Sequence, residues 1–333
     1  MPHATEPTYK HISVTPIGPT IGAEVSGVDF SKPVPDEVFR EILSAITKYG
    51  VLVFRHAALD DRRHVAFARQ FGELDDVKPY IAAGRKNRFD FDELFDVSNL
   101  EDDGSLVAVD SKRDHLSRGN SIFHVDSSFN PRRAGFSLLR AAALPPPGHG
   151  GNTDFADTRT AYDELPSALR SQLQRHDYVG AHSIWHSRKK AAPPDSPWLK
   201  DVEPRDFPMG RHRLCQVHEA SGRGNLYVAG HLHHLEVEDE GVEGGWREVE
   251  AEEGTRLIEE LLAWVEQERY RISVEWKEVG DLVVWDNTCV MHRAGPGTFA
   301  GKYMRDMRRC TVHDSSSLAW GLNEKSDKRM GLP

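Results

Sequence analysis

The feature that most constrains the fold is a series of short strand-like runs in the second half of the chain. HRLCQVHEA (212–220), NLYVAGHL (225–232), RISVEWKEV (271–279), DLVVWDNTCVMHR (281–293) and RDMRRCTVH (305–313) are cut apart by turns and by one clear helix, TRLIEELLAWVEQE (255–268). β-Branched and aromatic residues in runs of this length suit a pleated, partly buried surface. Many short strands with few helices predict a mainly β fold, a sandwich or jelly roll with helices flanking it.

The first half fits the same architecture. An 11-residue tail (1–11) leads into ISVTPIGPTIGAEVSGVDF (12–30), which reads as an irregular strand or two. PDEVFREILSAITKYG (35–50) has apolar residues at helical spacing and Gly50 where a C-cap belongs. VLVFRH (51–56) is a compact buried strand, LDDRRHVAFARQFG (59–72) a second amphipathic helix, and 76–120 a polar region of long loops. Strands are expected at 121–129, 135–144 and 152–157, with a Pro/Gly turn at 145–151 and a helix over 158–176. The Pro- and charge-rich segment 188–211 reads as a long surface insertion within one catalytic domain spanning 1–333.

Composition removes several classes of partner. Lys and Arg number 42 against 52 Asp and Glu, a formal net charge of −10, and no face reads as a basic stripe. Electrostatic capture of nucleic acid or an anionic membrane is therefore not expected. Cys215, Cys289 and Cys310 are far apart with no CxxC, which argues against a disulfide scaffold or zinc ribbon. No window approaches a membrane span, and the expectation is a soluble, cytoplasmic protein. GxGxxG at a strand-to-helix turn and GxxxxGK[ST] are both absent.

The chemistry concentrates in SIFHVDSSF (121–129), where His124 and Asp126 are two apart. On a strand such residues share a face. A structural His–Asp pair is the plain alternative, in a chain with 17 histidines. A metal reading needs a third ligand, and His292 follows a buried-looking strand just before a Gly/Pro turn. Two imidazoles and one carboxylate form the facial triad that leaves positions open on iron(II). In RDMRRCTV, Arg305 and Arg309 are four apart and share a face, where anionic partners would offset their desolvation; a solvated edge strand is the alternative.

With these elements together, the chain resembles the iron(II)/2-oxoglutarate-dependent dioxygenases of the taurine and 2,4-dichlorophenoxyacetate dioxygenase family. The likeness covers roughly 12–321 and is carried by GRKNRFDFDELFDVSNL, GNSIFHVDSSF, PPGHGGNTDFADTRTAYDELP, GDLVVWDNTCVMHRA and RDMRRCTV running into AWGL. The resemblance implies a double-stranded β-helix core. It implies His124, Asp126 and His292 as iron ligands, and Arg305 with Thr153 as the residues that hold the distal carboxylate of 2-oxoglutarate. Arg309 would meet an anionic group on the primary substrate; Asn120, Ser121, Lys78 and Tyr80 are further candidate contacts. Iron(II), 2-oxoglutarate and O2 would be consumed in oxidising a C–H bond, with succinate and carbon dioxide released.

Phe123 stands where many relatives carry tryptophan, the His292-to-Arg305 interval is two residues longer than in the taurine enzyme, and 188–211 is unusually long. These departures bear on substrate identity. The GRK…SNL and SSF signatures lie closer to the aryloxyacetate branch, so a small organic carboxylate is expected, with a sulfonate as the alternative. A zinc hydrolase on the same scaffold would not need Arg305 and Arg309, and a noncatalytic binding module could have lost any of the five residues that are all present here. Dimers or tetramers are an expectation from the resemblance. His231 and His233 of HLHH lack a carboxylate partner of the right kind and are kept out of the metal set, and His182 and His186 are read as structural.

Overall fold

The computed structural model describes residues 8–331. In chain order the elements are β1 (Ser13–Pro16), β2 (Ala23–Ser26), α1 (Asp36–Tyr49), β3 (Val51–Phe54), α2 (Asp61–Phe71), α3 (Lys78–Ala82), β4 (Phe95–Asp96) and α4 (Lys112–Ser117). Then come β5 (Ala134–Ala143), β6 (Thr153–Asp157), α5 (Thr158–Asp163), α6 (Ser167–His176), β7 (Val179–His182), α7 (Ile184–Ala191), β8 (Gly210–Arg213), β9 (Cys215–His218) and β10 (Arg223–Leu226). β11 (Leu232–Glu238), β12 (Trp246–Glu248), α8 (Ala251–Val265), β13 (Arg271–Val274), β14 (Leu282–Asp286), β15 (Val290–Ala294) and β16 (Asp306–His313) complete the fold.

A seven-stranded sheet, in the order β1-β2-β3-β14-β5-β16-β4, is joined by three smaller sheets, of which β13-β6-β15 packs on its inner face. β14 runs down the middle and is buried along its whole length, because both of its faces are covered. Val283 and Trp285 turn inward with Val51, Val53, Leu139, Met307 and Phe155. Leu282 and Val284 turn outward with Leu52, Phe54, Leu138 and Cys310, under α1 and α2. A continuous apolar run such as LVVW therefore marks a strand sandwiched between two layers. A third cluster packs α8 and α6 against β11. The mainly β jelly-roll expectation matches this architecture.

Helix ends follow their local chemistry. Gly50 caps α1 in the left-handed region (φ 68°), its N–H donating to the Ile46 carbonyl at 2.7 Å. The Asp60 carboxylate caps α2 by accepting from the Arg63 N–H at 2.8 Å. The helix expected over 158–176 is instead two, because Pro166 interrupts the backbone ladder between α5 and α6. Of the expected tail, residues 1–7 lie outside the described residues, while the backbone N–H groups of Lys10 and His11 donate to the Glu41 carboxylate on α1. Within the 188–211 segment Leu199 is buried and Ser196 bonds His115 on α4 at 2.7 Å. Among the described residues no helix is long and apolar enough to cross a membrane.

Several buried histidines make the fold acid-sensitive. Burial pushes His64 and His182 down to about 3 and His212 and His231 well below the usual imidazole range. Unfolded, these groups take up protons near pH 6.5, whereas in the fold they stay neutral. Their contribution is complete above pH 6.5 and is lost as pH falls toward 3, at roughly 1.4 kcal/mol per pH unit for each histidine. Denaturant melts from pH 8 to 4.5 should show stability falling steeply below 6.5; a flat profile down to pH 5 would contradict this.

Candidate active site

His124 and Asp126 do not lie on a strand. His124 makes a single antiparallel bridge with His292, each backbone N–H donating to the other's carbonyl at 2.9 Å. The chain then turns at Asp126, with Ser127 in the left-handed region (φ 56°). The strand expected over 121–129 thus fails, because this segment spends its pairing on one residue of β15 before turning. The bridge sets the two imidazoles 4.3 Å apart, centroid to centroid. Ligand atoms of His124, Asp126 and His292 all lie within 4.8 Å of one another, and all three residues are buried. This donor set can hold one divalent metal, with the remaining coordination positions open.

Two of the three side chains, His124 and Asp126, are held by hydrogen bonds from their surroundings. His124 Nδ1 bonds the Ile122 carbonyl at 2.7 Å, which assigns the proton there and leaves Nε2 as the donor atom. Asp126 Oδ1 accepts from Arg309 at 2.6 Å and Oδ2 from Ser137 at 2.7 Å. Asn287 donates to Ser137 Oγ at 2.9 Å, accepts from the Asp126 backbone N–H at 3.2 Å, and is itself held by Trp285 Nε1 at 3.0 Å. Burial raises the Asp126 pKa, but Arg309 and the two histidines outweigh it and hold the carboxyl well below its usual range. Burial drives His292 down to about 3, so its imidazole is neutral and its lone pair free near pH 7.

Arg305 is almost completely enclosed. One of its nitrogens donates to the Gly151 carbonyl at 3.0 Å, while Nε is buried with no partner. No carboxylate meets it among the described residues, and burial pushes its pKa down to about 10. It lines a cavity of about 300 Å³ with Gly151, Asn152 and Trp276. Thr153, next along β6, accepts at Oγ1 from Trp276 Nε1 at 3.1 Å, which leaves the Thr153 O–H free to donate. A buried cation with no carboxylate of the protein to meet it is a site that calls for an anion.

The remaining candidates divide. Tyr80 packs edge-on against Phe95 at 6.4 Å, and Phe95 lies 5.5 Å from the Arg309 guanidinium, so Tyr80 continues the wall of the site. Lys78 is exposed and pairs with Asp76 at 3.5 Å. Asn120 and Ser121 are exposed on the turn before the ligands, and the Ser121 hydroxyl donates to the Arg118 carbonyl at 2.7 Å. His186 and His233 line a separate cleft of about 370 Å³. His182 is buried beside His212 and Tyr227.

His231, kept out of the metal set on sequence grounds, lies with its ring 5.3 Å from that of His124, and its Nδ1 bonds Ser187 at 2.8 Å. Sequence reasoning missed Ser137, Asn287 and Trp276, whose neutral side chains carry no motif of their own. Two other groups of ligand-type residues do not compete with the triad. His218 uses both ring nitrogens, on Ser221 and Asp286, and the carboxylates of Asp110 and Asp114 are already paired with Arg118.

Comparison with known proteins agrees with this geometry. The sequence profile of the family described as "Taurine catabolism dioxygenase TauD, TfdA family" matches residues 13–311. An alpha-ketoglutarate-dependent 2,4-dichlorophenoxyacetate dioxygenase from Cupriavidus pinatubonensis is 33% identical over 306 residues, 92% of this chain and 99% of that one. An (S)-phenoxypropionate/alpha-ketoglutarate-dioxygenase from Sphingobium herbicidovorans is 29% identical over 290 residues, 85% of this chain and 89% of that one. The crystal structure of AAD-2 in complex with Mn(II) and N-oxalylglycine superposes with a TM-score of 0.80 at 32% identity, covering 93% of this chain and 100% of that one.

Proposed function

The chain belongs to the TauD, TfdA dioxygenase family and is an iron(II)- and 2-oxoglutarate-dependent dioxygenase, and from that premise we propose that it oxidises a small organic carboxylate of the aryloxyalkanoate kind. In this reading His124, Asp126 and His292 hold iron(II), and Arg305 with Thr153 holds the distal carboxylate of 2-oxoglutarate. The observation that carries it is the buried Arg305 guanidinium with no carboxylate of the protein beside it. A metal-dependent hydrolase has no use for that cation.

Iron(II), 2-oxoglutarate and dioxygen together supply the oxidising power for an unactivated C–H bond and release succinate and carbon dioxide. The protein's own residues do the arranging. The Ile122 carbonyl fixes the His124 tautomer, and Arg309 with Ser137 holds both Asp126 oxygens, so the donor set is formed before any metal arrives. Neutral imidazoles present lone pairs without losing a proton. Arg305 and the Thr153 hydroxyl orient the cosubstrate from its far end, and the apolar surroundings of Phe155 and Trp285 exclude water from the ligand cluster.

The dichlorophenoxyacetate and phenoxypropionate relatives support an aryloxyalkanoate substrate. Oxidation at the carbon bearing the ether oxygen would then break the ether and free a phenol. Succinate formation should be stimulated by phenoxyacetates and phenoxypropionates, with stoichiometric phenol, more than by taurine or alkyl sulfates. Stimulation by the sulfur acids alone would reject the carboxylate assignment. We further infer a cytoplasmic, self-associating enzyme; the three unpaired cysteines support a reducing compartment.

A further inference from the structure

Burial pushes two guanidiniums of this chain down to about 10, Arg305 and Arg188, and neither meets a carboxylate among the described residues. Arg305 is accounted for by the cosubstrate. Arg188 has no such explanation, and we infer that it is the anion anchor for the primary substrate, taking the carboxylate of an aryl acid whose ring lies against Tyr80, Phe95 and Trp185. This inference rests on the dioxygenase reading above.

Its position connects it to the metal ligands. Arg188 sits on α7 next to Ser187, which bonds His231, and the His231 ring lies 5.3 Å from that of His124. α7 packs on the turn that leads to His124, and a Cβ at Gly119 would come within 3.5 Å of Arg188 Cγ. On the other side, Arg188 and Arg85 both act on the Tyr80 hydroxyl, and Tyr80 leads through Phe95 to Arg309 and Asp126. Tyr80, Phe95 and Arg309 thus run in ring and cation contacts toward the triad, and Arg188 is near enough to Tyr80 to act on its hydroxyl electrostatically.

The chemistry around Arg188 selects an anion. Arg188 lies 4.9 Å from the Trp185 ring, which stacks on Phe207 at 4.7 Å, so its partner within the protein is an aromatic face. Trp185 Nε1 is buried and donates to nothing among the described residues, a second donor without an acceptor in the same place. Asp75, whose carboxylate also acts on Tyr80, is held by Arg329 at 2.5 Å. Arg309, the arginine expected from the sequence to meet the substrate, donates to Asp126 at 2.6 Å, and diverting it would loosen a metal ligand. The free planar fork, matched to a carboxylate, is that of Arg188.

The test is calorimetric titration of the metal-free protein with phenoxyacetate and with uncharged phenoxyethanol, comparing wild type with R188Q, R188K and R85Q. Phenoxyacetate should bind wild type, weaken about thirtyfold or more in R188Q, and recover in part in R188K, with R85Q changing little. Phenoxyethanol should bind wild type and R188Q alike. In the iron-loaded enzyme R188Q should raise KM for the acid while leaving KM for 2-oxoglutarate unchanged. Equal phenoxyacetate binding by wild type and R188Q, no binding by wild type, or equal losses for both probes would overturn the inference. Failure of the dioxygenase reading shows separately, as a wild-type protein that forms no iron–2-oxoglutarate chelate.

Discussion

Asp126→Ala should abolish 2-oxoglutarate-dependent succinate formation, by at least about a thousandfold in kcat/KM, and should cost most of the iron(II) affinity. Asp126 is the sole carboxylate of the donor set and the point on which its support converges, since Arg309 and Ser137 both end there. Removing one partner of a buried ion pair costs about 3–5 kcal/mol when the other charge is left enclosed. Arg309 keeps a path to solvent at 19% side-chain exposure, so the cost falls below that range. The circular dichroism spectrum should be unchanged and the melting temperature lowered only modestly. Asp126→Asn, whose single amide oxygen can still accept from Arg309 while its NH2 donates to the Ser137 hydroxyl oxygen, should be equally inactive but melt nearer to wild type. Turnover within tenfold of wild type in either variant would remove Asp126 from the donor set.

Arg305→Met should do two opposite things. The fall of the Arg305 pKa from 12.5 to about 10 in the unliganded protein corresponds to a penalty of about 3 kcal/mol for keeping the charge. Losing the hydrogen bond to the Gly151 carbonyl offsets roughly 1 kcal/mol of that gain. The unliganded variant should therefore be more stable than wild type by about 1–2 kcal/mol, and melt a few degrees higher. At the same time the apparent KM for 2-oxoglutarate should rise about a hundredfold or more, because two charge-assisted bonds to its distal carboxylate disappear. Wild type should gain thermal stability on adding Mn(II) with 2-oxoglutarate, and the variant should gain little. A variant less stable than wild type would mean that Arg305 serves the fold rather than an anion.

What the sequence disclosed and what it hid can be traced to range. The burial of β14 was legible because LVVW is apolar at every position, and α1 because its apolar spacing ends at Gly50. His124 and Asp126 were singled out through a strand argument that the structure replaces with a bridge and a turn; the two side chains still converge, because the bridge to β15 fixes the first and the turn delivers the second. The network behind Asp126 was invisible: Asn287 lies 161 residues from it along the chain, and neither serine nor asparagine carries a pattern. His231 and Arg188 were hidden for a related reason. HLHHLEVE crowds three imidazoles into four positions without showing which of them meets His124, and α7 is too short to show a clear apolar stripe. Both residues gain meaning only once β11 and α7 are packed beside the bridge.

In the proposed reading, one iron(II) and one 2-oxoglutarate bind together between the His124–Asp126–His292 cluster and Arg305. Anaerobic titration of the metal-free protein with iron(II) and then 2-oxoglutarate, followed by visible absorption, tests it most directly. A weak charge-transfer band that saturates at one equivalent of each, and is absent in Asp126→Ala, is the expected result. Wild-type protein that binds one iron(II) yet develops no band at saturating 2-oxoglutarate would contradict it and return the metal-dependent hydrolase to the front.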